Sequence, residues 1–221
     1  MGDVAPKRIN RKSEVFRFGA LEPSQLEKAF ANPLPISFYA RETTVVAQDL
    51  LGTLLIRKTD NDLIAGWIVE TEAYGPGDEA NHAHRGMTPR NMLMFGRPGL
   101  LYVYRIYGIY WCANAVTVED GVGEAVLLRA LEPVAGLDGM FERRKVLDER
   151  QWCRGPANMC NAFGFGGEFN GLDLVEGELR ICQVPKPQFE VVHSHRVGVN
   201  RSAHLPWRYY VKGSAYVSAH R

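Results

Sequence analysis

In the run IVETEAYGPGDEANHAHRG, Ile68 to Gly86, the residues Glu70, Glu72 and Tyr74 fall at alternate positions. On a strand such residues share a face, while Trp67, Val69, Thr71 and Ala73 take the other. The pattern predicts one buried apolar face and one chemical face, with Glu72 at the rim of the core. A carboxylate partly withdrawn from water is tuned to accept a proton, the work of a general base. An ordinary surface glutamate is the alternative, and Glu70 becomes its supporting or solvent-facing neighbour. In AVLLRALEP, Arg129 stands alone among apolar residues. A charge so placed requires a carboxylate partner, and Glu72 is the one expected.

Two further stretches carry chemistry. LLYVYRIYGIYWCANA packs Tyr102, Tyr104, Tyr107, Tyr110 and Trp111 around Gly108. Aromatic strands commonly fill a core, but Tyr107 adjoins a glycine where a hairpin tip can form. A ring at such a tip is available to wedge between stacked groups such as base pairs. In TPRNMLMFGRPG, Thr88 is a candidate N-cap and Pro89 a first helical residue. The N–H groups of such a helix start, with Arg90 and Arg97 near, suit a phosphate as well as a plain capped helix. The pairs His82-x-His84 and His193-x-His195 have chelating spacing. No H-E-x-x-H and no cysteine-bearing set accompanies them, so neither a metal nor another cofactor is expected.

These residues need a frame. The chain has 221 residues, 46% of them hydrophobic, enough for one substantial core. Basic and acidic residues number 26 and 25, so an anionic partner must be met by a local patch rather than by net charge. Four cysteines without C-x-x-C spacing suit reduced thiols in a cytosol-like compartment. No apolar run approaches the roughly 20 residues of a membrane helix, and a soluble intracellular protein is expected. Residues 1–20, with Lys7, Arg8, Arg11, Lys12 and Arg17, read as a flexible basic tail, either solvated or an arm for a polyanion.

Residues 21–221 form the expected single domain. EPSQLEKAF and TTVVAQDLLG are helix candidates, the second with Thr43 as N-cap and Gly52 as stop. TLLIRK, LIAGWIVETEAY, LLYVYRIY, GIYWCANAVTV and EAVLLRAL read as strands whose connections are mostly too short for helical crossovers, which favours antiparallel pairing. Helices return at Leu137–Trp152 and after Gly155-Pro156. ELRICQV, HRVGVN and RYYVKGSAYVS complete the strand set. The fold class is α+β, a single mixed domain with a curved, largely antiparallel β-sheet and peripheral helices.

In order along the chain, VETEAYGPGDEANH, TPRN, PGLLYVYRIYGIYWCANAV, AVLLRALEP, RGPANMC and RVGV resemble the methylpurine-DNA glycosylase family, also called alkyladenine or 3-methyladenine DNA glycosylases. The resemblance runs from near Pro35 to RYYVKGSAYVS. It implies a monofunctional repair enzyme that flips alkylated or deaminated purines out of duplex DNA and hydrolyses the N-glycosidic bond. Position by position, it implies Glu72 as the base that activates water, with Arg129 and the Val197 backbone holding that water. Tyr74, His82 and Tyr104 would surround the extruded base, Tyr107 would fill the gap in the stack, and Asn114 would clash with the 2-amino group of normal guanine. The Tyr74-to-His82 spacing is a residue shorter than in vertebrate members, which leaves His82 and His84 as alternatives for the pocket histidine. Phosphate contacts are expected near Thr88, Arg90 and Arg97, and also Arg105, Arg208 and Lys212. The partner implied is double-stranded DNA bearing damaged purines, met by a monomer, in the nucleoid if the source is bacterial and the nucleus if eukaryotic. A metal-dependent hydrolase using the His-x-His pairs and a non-catalytic lesion-binding module are the alternatives.

Overall fold

The β-branched and aromatic runs of the chain's middle fold as antiparallel strands, and most of their Gly-, Asp- and Asn-containing links are too short for crossovers. The structure, a computed structural model, describes residues 15–60 and 62–219. Among them, β1 (Leu54–Lys58), β2 (Leu63–Tyr74), β3 (Leu101–Ile106), β4 (Tyr110–Val116), β5 (Ala125–Ala135), β6 (Leu179–Cys182), β7 (Val191–Ser194) and β8 (Arg208–Val211) make one sheet. Its order is β3-β4-β5-β2-β1-β6, with β8 paired to β2 and to β7, and every strand pair is antiparallel. The sheet curls into a half-barrel, giving the α+β domain that the strand and helix runs predict.

The helices are α1 (Pro23–Phe30), α2 (Ile36–Tyr39), α3 (Thr43–Asp49), α4 (Leu137–Arg144) and α5 (Pro156–Phe163). Helix α3 packs against β2, and α5 against β4 and β5. The main core lies on that side, with Leu50, Ile68, Val69, Ala73, Leu128, Leu131 and Phe163 all buried. A second cluster on α1 holds Ala65 and Trp67. Three local expectations are corrected. Glu42, not Thr43, is the N-cap of α3, because the Thr43 hydroxyl is buried against Thr117 and Glu124. The Leu137–Trp152 helix ends at Arg144, where Lys145 takes a left-handed turn (φ 52°). HRVGVN is a loop beyond β7, and RYYVKGSAYVS is extended only over β8.

The basic residues up to Lys12 lie outside the described residues. Arg17, expected in a mobile arm, is held instead by Glu132 at 3.2 Å, and Phe18 stacks on Trp67 with ring centres 4.9 Å apart. The aromatic residues interleaved with the basic ones dock this stretch onto the second cluster.

Candidate active site

Strand β2 is the sheet's most heavily paired strand, hydrogen-bonded to β5 along one edge and to β1 and then β8 along the other. Its pairing with β5 slips around Val69: Ile68 faces Leu131, Glu70 faces Ala130 and Thr71 faces Leu128. The slip reverses the alternation. Ile64 and Ile68 point into the main core before it, and Val69 and Ala73 do so after it. Trp67 therefore shares the side of Glu70, Glu72 and Tyr74, not the side of Val69 and Ala73 as simple alternation predicts. The same slip skips Arg129 in the β5 ladder, and such irregularities re-aim a side chain. Arg129 turns onto the acidic face.

That face is not open. Glu70 and Glu72 have no solvent exposure, where the sequence predicts the rim of a core and a partly wet carboxylate. The cover comes from β8, from the 196–201 loop and from the C-terminal segment. Burial at this depth demands partners for every oxygen. Glu72 Oε1 accepts the Val197 N–H at 2.7 Å, and Oε2 accepts the Tyr74 hydroxyl at 3.0 Å and Arg129 Nη1 at 3.2 Å. Glu70 accepts Arg129 Nε (3.2 Å), Arg208 Nε (2.6 Å) and the Ser218 N–H (2.7 Å). Burial works against the Arg129 charge, but Glu72 and Glu70 outweigh it and raise its pKa. Burial, then Glu72, pushes the Tyr74 phenol well up, so it stays a hydrogen donor to the acid.

Above this network opens a cavity of about 320 Å³, near the lower bound of the roughly 300–1,000 Å³ of small-ligand clefts. Tyr74, His82, Tyr104, Asn114, Arg129 and Val197 all line it. Glu72 lies one layer beneath, behind its own three donors. Tyr102 and Tyr104 stack with centres 5.5 Å apart, and His82 meets Tyr104 nearly edge-on at 4.4 Å. The His82 carbonyl accepts Asn91 Nδ2 at 2.8 Å, and its Nδ1 lies 3.1 Å from the Tyr102 hydroxyl. The loop behind it is clamped by Asn81, which donates to the Gly123 carbonyl at 2.9 Å. His82 and His84 are both exposed, but of the two it is His82 that lines the cavity. Asn114 donates to the Tyr102 carbonyl at 3.1 Å. Burial pushes the Cys112 thiol, also on the wall, up to about 11.

The β3–β4 hairpin projects beside the cavity. Tyr107 (φ 52°) and Gly108 (φ 72°) are the central residues of its turn, both left-handed, and Tyr107 is 84% exposed. Two positive φ values are the hallmark of the tight turn whose twist matches its strands. The predicted helix at Thr88-Pro89 does not form. The Asn91 side chain takes the Thr88 N–H at 2.6 Å, and a short 3-10 turn, Met92–Phe95, follows. Thr88 and Arg90 thus precede this short turn and Arg97 follows it, with no α-helix N-terminus among them. Arg208 is fully buried on Glu70, out of reach of any phosphate, and Lys212 is paired with Glu190 at 2.8 Å. Among the described residues, no three His, Cys, Asp or Glu side chains are placed to hold a metal ion.

Two groups escape the sequence reading. Arg196 and Asp78, both buried, form a paired fork, and Arg196 also donates to the Ala73 carbonyl at 3.0 Å. Ser218 reaches Glu70 across the fold. Arg196 could have been found in RVGV as a charge beside an apolar run; Ser218 carries no such signal.

The sequence profile described as Methylpurine-DNA glycosylase (MPG) matches residues 37–215. A protein of Methanoculleus marisnigri named "Putative 3-methyladenine DNA glycosylase" is 49% identical over 189 residues, covering 84% of this chain and 98% of its own. Proteins of the same name from Nitrobacter winogradskyi and Carboxydothermus hydrogenoformans are 45% and 44% identical over 187 residues each. Each alignment covers 84% of this chain, and they span 87% and 98% of the respective relatives.

Proposed function

This chain belongs to the methylpurine-DNA glycosylase family, which makes it a DNA glycosylase, and on that premise we propose that it hydrolyses damaged purines from duplex DNA with Glu72 as general base. The substrates are of the 3-methyladenine, 7-methylguanine, hypoxanthine and ethenoadenine type, and the product is an abasic site. One observation carries the reading. The three groups that hydrogen-bond Glu72, namely Tyr74, Arg129 and Val197, are themselves walls of the ring-lined cavity.

A base inside a stacked duplex is out of reach, so the nucleotide must be flipped at a cost of a few kcal/mol, least for damaged pairs. Stacking on Tyr74, His82 and Tyr104 returns about 1–3 kcal/mol per base, and a cationic methylpurine adds a cation–π contribution. Tyr107 fills the gap left in the stack. Asn114 excludes the 2-amino group of guanine. As the glycosidic bond breaks, positive charge grows on the sugar, which a carboxylate beneath it stabilises. Water adds to the sugar carbon and gives its proton to Glu72, oriented by Arg129 and the Val197 backbone. A carboxylate offers about four acceptor sites and Oε1 accepts one bond among the described residues, so it keeps a lone pair to accept that proton. Thr88, Arg90 and Arg97 meet the DNA backbone, and the enzyme works as a monomer without a cofactor.

The test is single-turnover release of hypoxanthine from a duplex. Glu72→Gln should lose about 10²-fold or more in rate while still binding the lesion. A Gln variant that releases base at the wild-type rate refutes the assignment.

A further inference from the structure

Arg129 gives each of its guanidinium nitrogens to a different neighbour. Nε goes to Glu70 at 3.2 Å, Nη1 to Glu72 at 3.2 Å and Nη2 to the Ser218 hydroxyl at 3.3 Å. The same hydroxyl donates to Glu70 Oε1 at 2.7 Å, while the Ser218 N–H donates to Glu70 Oε2 and its carbonyl accepts Arg208 Nη2 at 3.1 Å. Ser218 thus bridges the anion and the cation that stand behind the proposed base. We propose that Ser218 is a positioning residue for base release, setting the plane of the Arg129 guanidinium and through it the Glu72 carboxylate. The inference rests on Glu72 acting as the base.

The argument is geometric. A guanidinium held at Nε and Nη1 can still tilt about the line through those two nitrogens; a third anchor at Nη2 fixes its plane and so the direction in which Nη1 meets Glu72. Glu70 and Glu72 supply the first two anchors and Ser218 the third. Ser218 adds no charge to the cluster, where two carboxylates and two guanidinium groups already balance, so its hydroxyl acts on direction alone. The hydroxyl can also be removed without undocking the segment. Tyr216 donates to Glu149 at 2.9 Å, the Val217 carbonyl accepts Arg154 at 2.7 Å, and the Ser218 N–H keeps its bond to Glu70. Ser218→Ala therefore frees Arg129 Nη2 and withdraws one donor from Glu70 Oε1, which keeps Arg129 Nε and Arg208 Nε, while the segment stays docked.

The experiment uses the full chain at saturating concentration on a hypoxanthine-containing duplex, with Ser218→Ala, Ser218→Thr and Glu72→Gln side by side. Ser218→Ala is expected to slow the single-turnover rate constant about tenfold, with lesion affinity and burst amplitude within about twofold of wild type, as loss of alignment predicts. Ser218→Thr, which restores the hydroxyl, should recover most of the rate. A merely structural role would lower amplitude and affinity together and leave the rate constant of the folded fraction unchanged. That pattern, or an undiminished Ser218→Ala, or failure of Thr to rescue, overturns the assignment while an inactive Glu72→Gln leaves the base reading standing. A fully active Glu72→Gln overturns both.

Discussion

The guanidinium carbon of Arg196 lies 4.6 Å from the centre of the Tyr74 ring. The ring that walls the cavity is therefore backed by a cation. That cation is tied to Asp78, four residues beyond Tyr74, and its own chain neighbour Val197 caps Glu72. The Asp78–Arg196 pair couples the loop after β2 to the wall and to the acid.

Both members of that pair have no side-chain exposure, and removing one partner strands a buried charge. Asp78→Asn should cost about 3–5 kcal/mol of stability, read by urea unfolding. A loss below about 1 kcal/mol would mean that Arg196 finds another anion or reaches water.

Tyr107 has the opposite character, exposed and in a backbone conformation that costs a non-glycine residue about 1–2 kcal/mol. Tyr107→Gly should leave stability unchanged or raise it by up to about 1 kcal/mol. The same change should weaken lesion flipping by about tenfold or more, as reported by a fluorescent base analogue in the duplex. Unchanged flipping would remove the ring from the proposed wedge role.

His82 yields a pH dependence. Burial, and behind it the Arg90 charge, lower its imidazole below the ordinary 6.5. The folded chain favours the neutral ring, so as pH falls the unfolded chain takes up the proton first. The stability contributed by this group is complete above 6.5 and is lost as pH drops through that value toward the lower folded one. From about pH 7 to about pH 5, wild type should lose more stability than His82→Gln. Equal losses in urea titrations would contradict the shift.

Salt separates the two arginines proposed for the DNA backbone. Arg97 is already paired with Asp173, whereas Arg90 is exposed, donates to the Arg105 carbonyl at 3.4 Å, has no ion-pair partner among the described residues, and overhangs the Tyr104 ring at 6.0 Å. Arg90→Ala should reduce the slope of log affinity against log salt by about 0.9, and Arg97→Ala by less. Equal slopes for wild type and Arg90→Ala would place the phosphate elsewhere.

Much of this architecture was legible in the residues themselves. A lone Arg129 in an apolar strand announces a buried carboxylate partner, and Tyr107-Gly108 between aromatic runs announces a tight tip. The covering of Glu72 was not legible, because it comes from β8, the 196–201 loop and the C-terminal segment, all distant in the chain, and the slip at Val69 was not, because a period of two cannot register it. The contacts of Ser218 with Glu70 and of Arg196 with Asp78 join residues 148 and 118 positions apart, beyond any local pattern. At Thr88 the capping letters are right, yet its hydroxyl donates to the Asn91 side chain at 3.0 Å instead of accepting a helix N–H, a local competition that propensity does not rank.

Because β2 is bonded along both edges, its amides open last when the protein breathes, whereas the parts of the 75–84 and 196–201 loops beyond the buried Asp78–Arg196 tie can open at lower cost. Hydrogen exchange at Glu70–Glu72 will then track global unfolding, and that of the cavity's lips will not. A guest can thus be admitted by movement of the walls alone, over an acid that stays still.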